Sequence, residues 1–252
     1  MTETSDNNTA VVPAPKLEED FYDWYARHEA KVRAAASGNH DLVFIGDSIT
    51  HLFEGDPNVP GRGERVWAEY YGSRRTLNLG FGWDRTQNVL WRLDHGEFAG
   101  QTPQLVVLLI GTNNLTGTGN APTNTPAEIA AGIRAIGARV LAASPHSRIL
   151  LMGVFPRSTA ADPLRRRIRE INVLAKAWAR DQPAVDCLDI GGRFLAADGS
   201  IPSTLLTDGV HPSEAGYRLW AEAIEPIVAG ALGPRGRDWR CGPGDSLCGR
   251  AR

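Results

Sequence analysis

The chain lacks any hydrophobic run near the roughly 20 residues that a membrane-spanning helix requires. Its amino terminus also lacks the basic start and the apolar stretch of a secretory signal peptide, so we expect a cytoplasmic protein without membrane insertion. The formal net charge of −2 over 252 residues leaves no basic surplus to attract nucleic acid or an anionic membrane surface. These absences leave an ordinary soluble globular protein without a nucleic-acid partner.

Cysteine is also scarce, with three in the chain. No Cys and His residues have the spacing of a zinc site, so we expect no bound metal. Cys187 lies in an apolar run and is expected to be a buried free thiol. Cys241 and Cys248 lie in a tail rich in Gly, Pro and Arg, where a small disulfide loop between them is an open alternative.

Composition divides the chain into a folded region and two tails. Residues 1–16 are polar and rich in Pro and Ala, and residues 234–252 are rich in Gly, Pro and Arg, so both ends are predicted to be disordered. Residues 17–233 contain no linker, repeat or low-complexity break. They are therefore predicted to form one domain.

Helical and strand patterns alternate within this domain. Apolar residues at helix spacing predict helices at Phe21–Val32, Pro126–Ala143, Leu164–Trp178 and Pro212–Leu232. Five apolar runs are too short for helices and predict buried strands at Leu42–Ile45, Arg75–Leu79, Gln104–Ile110, Arg148–Phe155 and Val185–Ile190.

Strands that are apolar on both faces and separated by helices favour a parallel sheet covered by helices on both sides. In such sheets the ligand site lies at the carboxyl ends of the strands. Four polar clusters follow predicted strands, at Asp47–Ser48, Gly82–Arg85, Thr112–Asn114 and Asp208–His211. The predicted fold therefore brings clusters that are distant in sequence to one rim of the sheet.

Ser48 follows Gly46 and Asp47 at the end of the first predicted strand. A strand-to-helix turn at this point would expose the hydroxyl and direct the first N–H groups of the helix at an oxyanion. Taken alone, the tripeptide Gly46-Asp47-Ser48 is better explained by Asp47 or Ser48 as the N-cap of the following helix. The tail repeats it as Gly244-Asp245-Ser246, but no apolar strand precedes that copy and no histidine follows, so we reject Ser246 as a nucleophile.

His211 is the favoured base, and Asp208 is its partner three residues earlier. A carboxylate and an imidazole at this spacing meet across a turn, which Gly209 permits, and the ring Nε2 is then left to face Ser48. A surface aspartate followed by a helix-capping histidine is the competing explanation. The other five histidines have weaker contexts: His28, His40, His51, His95 and His146.

An acyl-transfer site also needs donors for the oxyanion of its tetrahedral intermediate. Asn113 follows the most apolar strand and is a candidate side-chain donor, although Asn is also common in turns. The backbone N–H of Ser48 is a second candidate, and the loop Gly80–Asp84 offers a third. That loop does not match the GxGxxG pattern of a dinucleotide site.

Together, the blocks GDSIT, NLGFGWDRT, GTNN and DGVHPS resemble those of SGNH (GDSL-like) hydrolases in their order and approximate spacing. The resemblance covers about residues 40–230 and is nearest to the branch of platelet-activating-factor acetylhydrolase catalytic subunits and similar bacterial esterases. It implies a three-layer flavodoxin-like α/β fold with a five-stranded parallel sheet in the order 2-1-3-4-5. It also implies that no metal or organic cofactor is needed.

The resemblance assigns a role to each of the candidate residues. It implies that Ser48 attacks the ester, His211 is the base, Asp208 orients His211, and Asn113 donates to the oxyanion. Asp47 and Asp84 are expected to support these residues without taking part in the chemistry.

The second block departs from the family pattern in one place. Many members have a glycine directly before the aspartate of this block, whereas this chain has Trp83, with Gly82 one residue earlier. The backbone N–H survives this change, so Gly82 and Trp83 both stay candidate oxyanion donors. The indole of Trp83 is expected to restrict the site to short acyl groups.

The favoured function is a serine esterase that hydrolyses short-acyl esters of small molecules through an acyl-enzyme on Ser48. The alternatives are a carbohydrate O-acetyl esterase, a lysophospholipase-type lipid esterase, an acyltransferase, or a catalytically silent binding domain on the same fold. Scattered acidic residues do not support a glycosidase pair. A homo-oligomer built on Trp67, Tyr70 and Tyr71 is left open, although buried core is the favoured place for these rings.

Overall fold

Five short parallel strands form the centre of the molecule in the computed structural model, which describes residues 8–234. The strands are β1 (Leu42–Gly46), β2 (Thr76–Gly80), β3 (Leu105–Leu109), β4 (Arg148–Met152) and β5 (Val185–Leu188). Their order across the sheet is β2-β1-β3-β4-β5, and each neighbouring pair is parallel. The predicted sheet order and direction are therefore confirmed.

Seven α-helices lie within the described residues and cover both faces of the sheet. They are α1 (Trp24–Ala36), α2 (Ser48–Glu54), α3 (Glu64–Tyr71), α4 (Thr86–Asp94), α5 (Pro126–Ala143), α6 (Pro163–Arg180) and α7 (Glu214–Leu232). Alternate strand residues point to opposite faces. Val43 and Ile45 pack with α4, α5 and α6, whereas Leu42 and Phe44 pack with α2, α3 and α7. The result is the three-layer α/β fold that the sequence predicted.

The helices differ from the four predicted by apolar spacing in the start of the first helix and in the short helices α2, α3 and α4. These three helices have seven to nine residues, which are too few to show that spacing clearly. The first helix begins at Trp24 because the side chain of Asp23 caps it, so Phe21 lies outside the helix. Helix α3 was not predicted, because its eight residues are bracketed by loops rich in Gly. Its rings Trp67, Tyr70 and Tyr71 are buried in the core, as expected from their size.

The expected disorder of residues 1–16 is wrong for residues 8–16. Thr9–Val11 forms a 3-10 helix, and Ala10 is completely buried. The hydroxyl of Thr86 donates to the carbonyl of Ala10 at 2.7 Å, and Asn88 donates to the carbonyls of Ala14 and Pro15. Composition could not show this, because the contacts use backbone carbonyls rather than apolar side chains.

Cys187 is a free thiol but is only partly buried, in contrast to the sequence expectation. The reason is its position on β5, which lies at the edge of the sheet. Cys241, Cys248 and the second Gly-Asp-Ser lie outside the described residues. Between residues 8 and 234, no helix is both long and apolar enough to cross a membrane.

Candidate active site

Ser48 is the first residue of α2 and follows β1 after a single intervening residue, Asp47. The Asp47 side chain is the helix cap, since its Oδ1 accepts the N–H of Ile49 at 3.0 Å. The capping explanation is therefore correct for Asp47 and leaves the hydroxyl of Ser48 available. Gly46 has no left-handed φ. A side chain there would overlap Thr50 and the carbonyl of Leu109, so close packing rather than a sharp turn requires glycine.

The structure brings Ser48 and His211 together across 163 positions of sequence, with Ser48 Oγ and His211 Nε2 2.8 Å apart. His211 Nδ1 lies 2.7 Å from Asp208 Oδ2. The three side chains thus form one continuous line from hydroxyl to imidazole to carboxylate. His51, the histidine nearest to Ser48 in sequence, is buried elsewhere and contacts Asp56.

A tight turn holds the Asp208–His211 pair. Gly209 adopts φ = 78°, a left-handed value that favours glycine. Asp208 Oδ1 accepts the backbone N–H groups of Val210 and His211 at 3.0 and 2.7 Å. The turn ends at Ser213, whose hydroxyl caps α7. The aspartate therefore fixes both the backbone and the ring of His211.

The same contacts control the ionisation of Asp208. Partial burial alone would raise the pKa of Asp208, but hydrogen bonds from the N–H and ring of His211 and from the N–H of Val210 outweigh it. The pKa of Asp208 is consequently below its usual value. A negative carboxylate beside Nδ1 favours the tautomer with the proton on Nδ1, which leaves Nε2 to accept from a hydroxyl.

Asn113 lies in a short 3-10 helix, Asn113–Leu115, just beyond β3. Its side-chain amide donates one hydrogen bond to the backbone carbonyl of Asp84 at 3.0 Å. An amide carries two N–H donors, so one of them remains for another acceptor. Asn113 and Ser48 line the same cleft.

Gly82 and Trp83 lie in the β2–α4 loop, which we define as Gly80–Asp84. Within residues 8–234, no acceptor is found for the backbone N–H of either Gly82 or Trp83. Trp83 has φ = 61°, in the left-handed region that a non-glycine residue rarely adopts. Glycine would adopt this φ without strain. The Trp83 indole lines the cleft and is 37% exposed.

A buried cluster of charges lies behind this loop. Arg92 binds Asp84 Oδ2 through Nε at 2.7 Å and also contacts Glu97, and Glu97 contacts His28 at 2.7 Å. Trp24 donates to Asp84 Oδ1 at 2.8 Å. Burial raises the pKa of Asp84 to about 6, against the opposing effects of Arg92 and Trp24. These contacts fix both carboxylate oxygens of Asp84 at the end of the loop, and its supporting role stays a prediction.

Asp47 is buried next to Ser48 and forms no ion pair within residues 8–234, although the charge of Arg157 lies near enough to oppose the rise in pKa that burial causes. Its Oδ2 has no hydrogen-bond partner among the described residues. Burial raises the pKa of Asp47 to about 7, the N–H of Ile49 opposes this rise, and the nearby charge of Asp84 adds to it.

Five of the candidate residues line one cleft of about 330 Å³: Ser48, Trp83, Asn113, Asp208 and His211. Gly82, Asp47 and Asp84 are not among its lining residues. Its walls are formed by Asp20, Phe21, Ser48, Leu52, Val59, Arg62, Trp83, Asn113, Arg157, Asp208, Val210 and His211. Three larger hollows, of about 510, 520 and 380 Å³, lie elsewhere on the described surface and contain no serine or histidine. The candidate site is therefore identified by the side chains that line the cleft, and not by the volume of the cleft.

Four polar or aromatic residues of this cleft were missed in the sequence. Arg157 follows β4 at the same rim, so its position was a usable signal. Asp20 and Phe21 reach the cleft from the segment before α1, and Arg62 reaches it from the loop before α3, where no pattern marks them. No group of three or more His, Cys, Asp or Glu side chains in the described part of the chain is placed to hold a metal ion.

Comparison with known proteins places this geometry in a family. The profile of the GDSL-like lipase/acylhydrolase family matches residues 44–219. Subunit alpha2 of platelet-activating factor acetylhydrolase IB from Rattus norvegicus is 32% identical over 225 residues, which are 88% of this chain and 91% of the relative. The chain belongs to the GDSL-like lipase/acylhydrolase family. The predicted resemblance is confirmed, and with it the prediction of a hydrolase that acts on esters.

Solved structures of other proteins share the fold. A GDSL-like lipase from Bacteroides thetaiotaomicron matches with a TM-score of 0.63 at 18% identity, over 82% of this chain and 100% of that one. A catalytic mutant of an acetylxylan esterase from Geobacillus stearothermophilus matches with a TM-score of 0.60 at 22% identity, over 79% and 97%. At these identities the likeness supports the α/β architecture alone.

Proposed function

We propose that this GDSL-family hydrolase cleaves short-acyl carboxylic esters through an acyl-enzyme on Ser48. The observation that carries the proposal is the line of hydrogen bonds from Ser48 Oγ to His211 Nε2 at 2.8 Å and from His211 Nδ1 to Asp208 at 2.7 Å. A serine hydroxyl becomes a competent nucleophile when such a base takes its proton. The same arrangement argues against a catalytically silent binding domain.

The reaction follows from these positions. Ser48 Oγ forms a bond to the carbonyl carbon of the ester while its proton passes to His211 Nε2. The tetrahedral oxyanion collapses, the bond to the alcohol oxygen breaks, and His211 returns the proton to the departing alcohol. Water then attacks the acyl-enzyme by the same route, releases the carboxylic acid and restores Ser48.

The oxyanion would be held by donors at the base of the cleft. The N–H of Ser48 is one of the first groups of α2, which have no acceptor within their own helix. Three further donors supplement it: the second N–H of the Asn113 amide and the backbone N–H groups of Gly82 and Trp83. Neither backbone group has an acceptor within residues 8–234. Donors that are fixed before the reaction stabilise the developing charge without reorganisation.

The preference for a short acyl group rests on Trp83. The indole stands in the cleft wall that also carries Asn113, so it occupies space that a long acyl chain would need. Relatives named as acetylhydrolases and acetylxylan esterases are consistent with an acetyl substrate. A second candidate is an O-acetylated carbohydrate, because Asp20, Arg62 and Arg157 bring hydrogen-bonding groups to the same cleft.

Replacing Ser48 with alanine tests the proposed function. We expect turnover of p-nitrophenyl acetate to fall by about 10⁶-fold, because the acyl-enzyme can no longer form. Ser246→Ala is the matched control, since that serine also follows Gly-Asp, and it should retain full activity. Esterase activity that survives in Ser48→Ala would overturn the proposal.

Replacing Trp83 with glycine tests the acyl preference. The change removes the indole and relieves the left-handed φ, so we expect the ratio of octanoyl to acetyl ester turnover to rise about tenfold. Trp83→Phe should give a smaller rise, because a ring still fills the wall. The measurement is kcat/KM on a series of p-nitrophenyl esters, and an unchanged ratio in Trp83→Gly would remove Trp83 as the acyl-selecting residue.

A further inference from the structure

We infer that the segment Asp20–Arg27, which we call the clamp segment, positions the β2–α4 loop for catalysis. The inference rests on the proposed function, in which that loop supplies backbone N–H groups to the oxyanion. The clamp segment comprises the residues before α1 and the first turn of this helix. Tyr22, Trp24 and Arg27 are the positioning residues of this segment, since they act on the reaction through the loop.

Three hydrogen bonds join the clamp segment to alternate residues of the loop. Arg27 Nε donates to the carbonyl of Gly80 at 2.9 Å, and the hydroxyl of Tyr22 donates to the carbonyl of Gly82 at 3.1 Å. Trp24 Nε1 donates to Asp84 Oδ1 at 2.8 Å. The loop is therefore held at its beginning, middle and end by one continuous stretch of chain.

Packing reinforces these hydrogen bonds. The ring of Phe81 is completely buried, and the rings of Tyr22 and Trp24 lie 6.4 and 5.6 Å from it. The guanidinium of Arg27 lies 5.1 Å from the centre of the same ring. Asp20 is so close to Gly82 that any side chain on Gly82 would overlap its carboxylate.

The loop needs this support because its own backbone restrains it weakly. Its internal residues make two backbone hydrogen bonds in the described structure, from Phe81 N to Gly46 O and from Asp84 N to Phe81 O. Trp83 also adopts a left-handed φ that costs free energy and persists only when the surroundings enforce it. The clamp segment holds the loop, and with it the left-handed φ of Trp83, through contacts on the outer side of the loop.

Arg92 completes the arrangement from the inner side. It binds Asp84 Oδ2, while Trp24 binds Asp84 Oδ1, so both oxygens of this carboxylate are fixed. The backbone carbonyl of Asp84 then accepts from Asn113. A displacement of the clamp segment would consequently move two sets of candidate oxyanion donors, those of the loop and that of Asn113.

The test is the double variant Tyr22→Phe/Trp24→Phe, which keeps two aromatic rings but removes two of the three donors. We expect kcat for p-nitrophenyl acetate to fall about tenfold with KM unchanged, because small displacements of catalytic groups reduce rates steeply. Affinity for methylboronic acid, whose serine adduct mimics the tetrahedral oxyanion, should fall by the same factor. If the clamp segment only stabilised the fold, kcat and the affinity for methylboronic acid would not fall by the same factor.

Tyr25→Phe/Trp178→Phe is the matched control. Tyr25 lies in the clamp segment but is not one of its three positioning residues, because its exposed side chain makes no hydrogen bond to the loop in the described structure. Trp178 lies on α6 and packs against α5. The control therefore makes the same chemical changes away from the loop and should leave kcat unchanged. If the clamp double variant fails to fold, the pair Arg27→Lys and Arg33→Lys replaces it, since both arginines lie on α1 and only Arg27 contacts the loop.

The two proposals fail in different ways. Wild-type kcat and boronate affinity in the clamp variants, or a rise in KM with kcat unchanged, would overturn the positioning role while Ser48→Ala still abolishes activity. Esterase activity that persists in Ser48→Ala would instead overturn the proposed function itself.

Discussion

The two halves of the proposed active site, the nucleophile half and the oxyanion half, are built in opposite ways. The nucleophile half consists of Ser48, Asp208 and His211, and the side chains of Asp208 and His211 are 47% and 27% exposed. The oxyanion half is the β2–α4 loop with Asn113, and behind it lie the fully buried side chains of Arg92 and Glu97. The Asp208–His211 pair of the first half lies at the surface on a local turn. The loop of the second half packs against a buried network of charges.

This difference separates catalysis from stability. The Asp208–His211 turn needs four residues and its own hydrogen bonds, so its side chains contribute little to the free energy of unfolding. The charges behind the loop have left water, and each depends on its partner to offset the cost of burial. Substitutions in the first half should therefore change the rate, and substitutions in the second should change stability as well.

Asp208→Asn should have the largest effect on rate among the substitutions that leave both Ser48 and His211 in place. The amide still accepts the backbone N–H groups of Val210 and His211, but it no longer stabilises the imidazolium or fixes the proton on Nδ1. We expect kcat to fall about 10⁴-fold while the free energy of unfolding changes by less than about 1 kcal/mol. Steady-state kinetics and urea denaturation measure the two quantities.

Asp189→Asn is the control for Asp208→Asn, because Asp189 also lies near the rim and accepts a backbone N–H, from Gly191. It should leave kcat close to that of the unaltered protein. A loss of stability in Asp208→Asn comparable with its loss of activity would break the proposed separation between the two halves.

Arg92→Met should have the largest effect on stability. It removes the partner of two buried carboxylates, Asp84 and Glu97, and we expect a loss of about 3–5 kcal/mol in the free energy of unfolding. Arg75→Met is the matched control, since Arg75 forms an exposed ion pair with Asp41 and its loss should leave the free energy of unfolding nearly unchanged. Equal effects in the two variants would show that the network behind the loop is not a stabilising support.

The nucleophile half was accessible to sequence analysis because its signals are local. Asp47 and Ser48 follow an apolar strand, and Asp208 and His211 lie three residues apart around a glycine. The alternation of strands and helices predicted a parallel sheet, and the order of its strands was implied by the family resemblance alone. These inferences needed neighbouring residues and a rule about where parallel strands end.

The support of the oxyanion half could not be predicted in the same way. Tyr22 and Gly82, like Trp24 and Asp84, are 60 positions apart, and their contacts are single hydrogen bonds that leave no periodic pattern. The spacing of Trp24 and His28 was attributed to an amphipathic helix, which is correct for α1. It did not show that Trp24 also binds Asp84, or that His28 joins a chain of buried charges.

Asp47 tests the boundary between the two halves, because it adjoins Ser48 yet is buried like the oxyanion support. Its pKa is about 7 in the native protein and 3.8 in a model carboxyl. Between these pH values the unfolded chain releases the proton and the native protein retains it, so the free energy of unfolding falls as pH rises. Above the native pKa the cost of the buried charge is complete.

Asp47→Asn should therefore stabilise the protein more at pH 8 than at pH 5. The amide keeps the cap on Ile49 and cannot ionise, so the stability difference between variant and unaltered protein should rise by about 1–3 kcal/mol between the two pH values. Asp198→Asn is the control: Asp198 is exposed and its pKa is lowered by hydrogen bonds from Ser200, so that difference should stay flat. If the stability difference for Asp47→Asn were the same at pH 5 and pH 8, Asp47 would be charged near neutral pH at little cost in free energy. It would then resemble the exposed Asp208 rather than the buried carboxylates behind the loop.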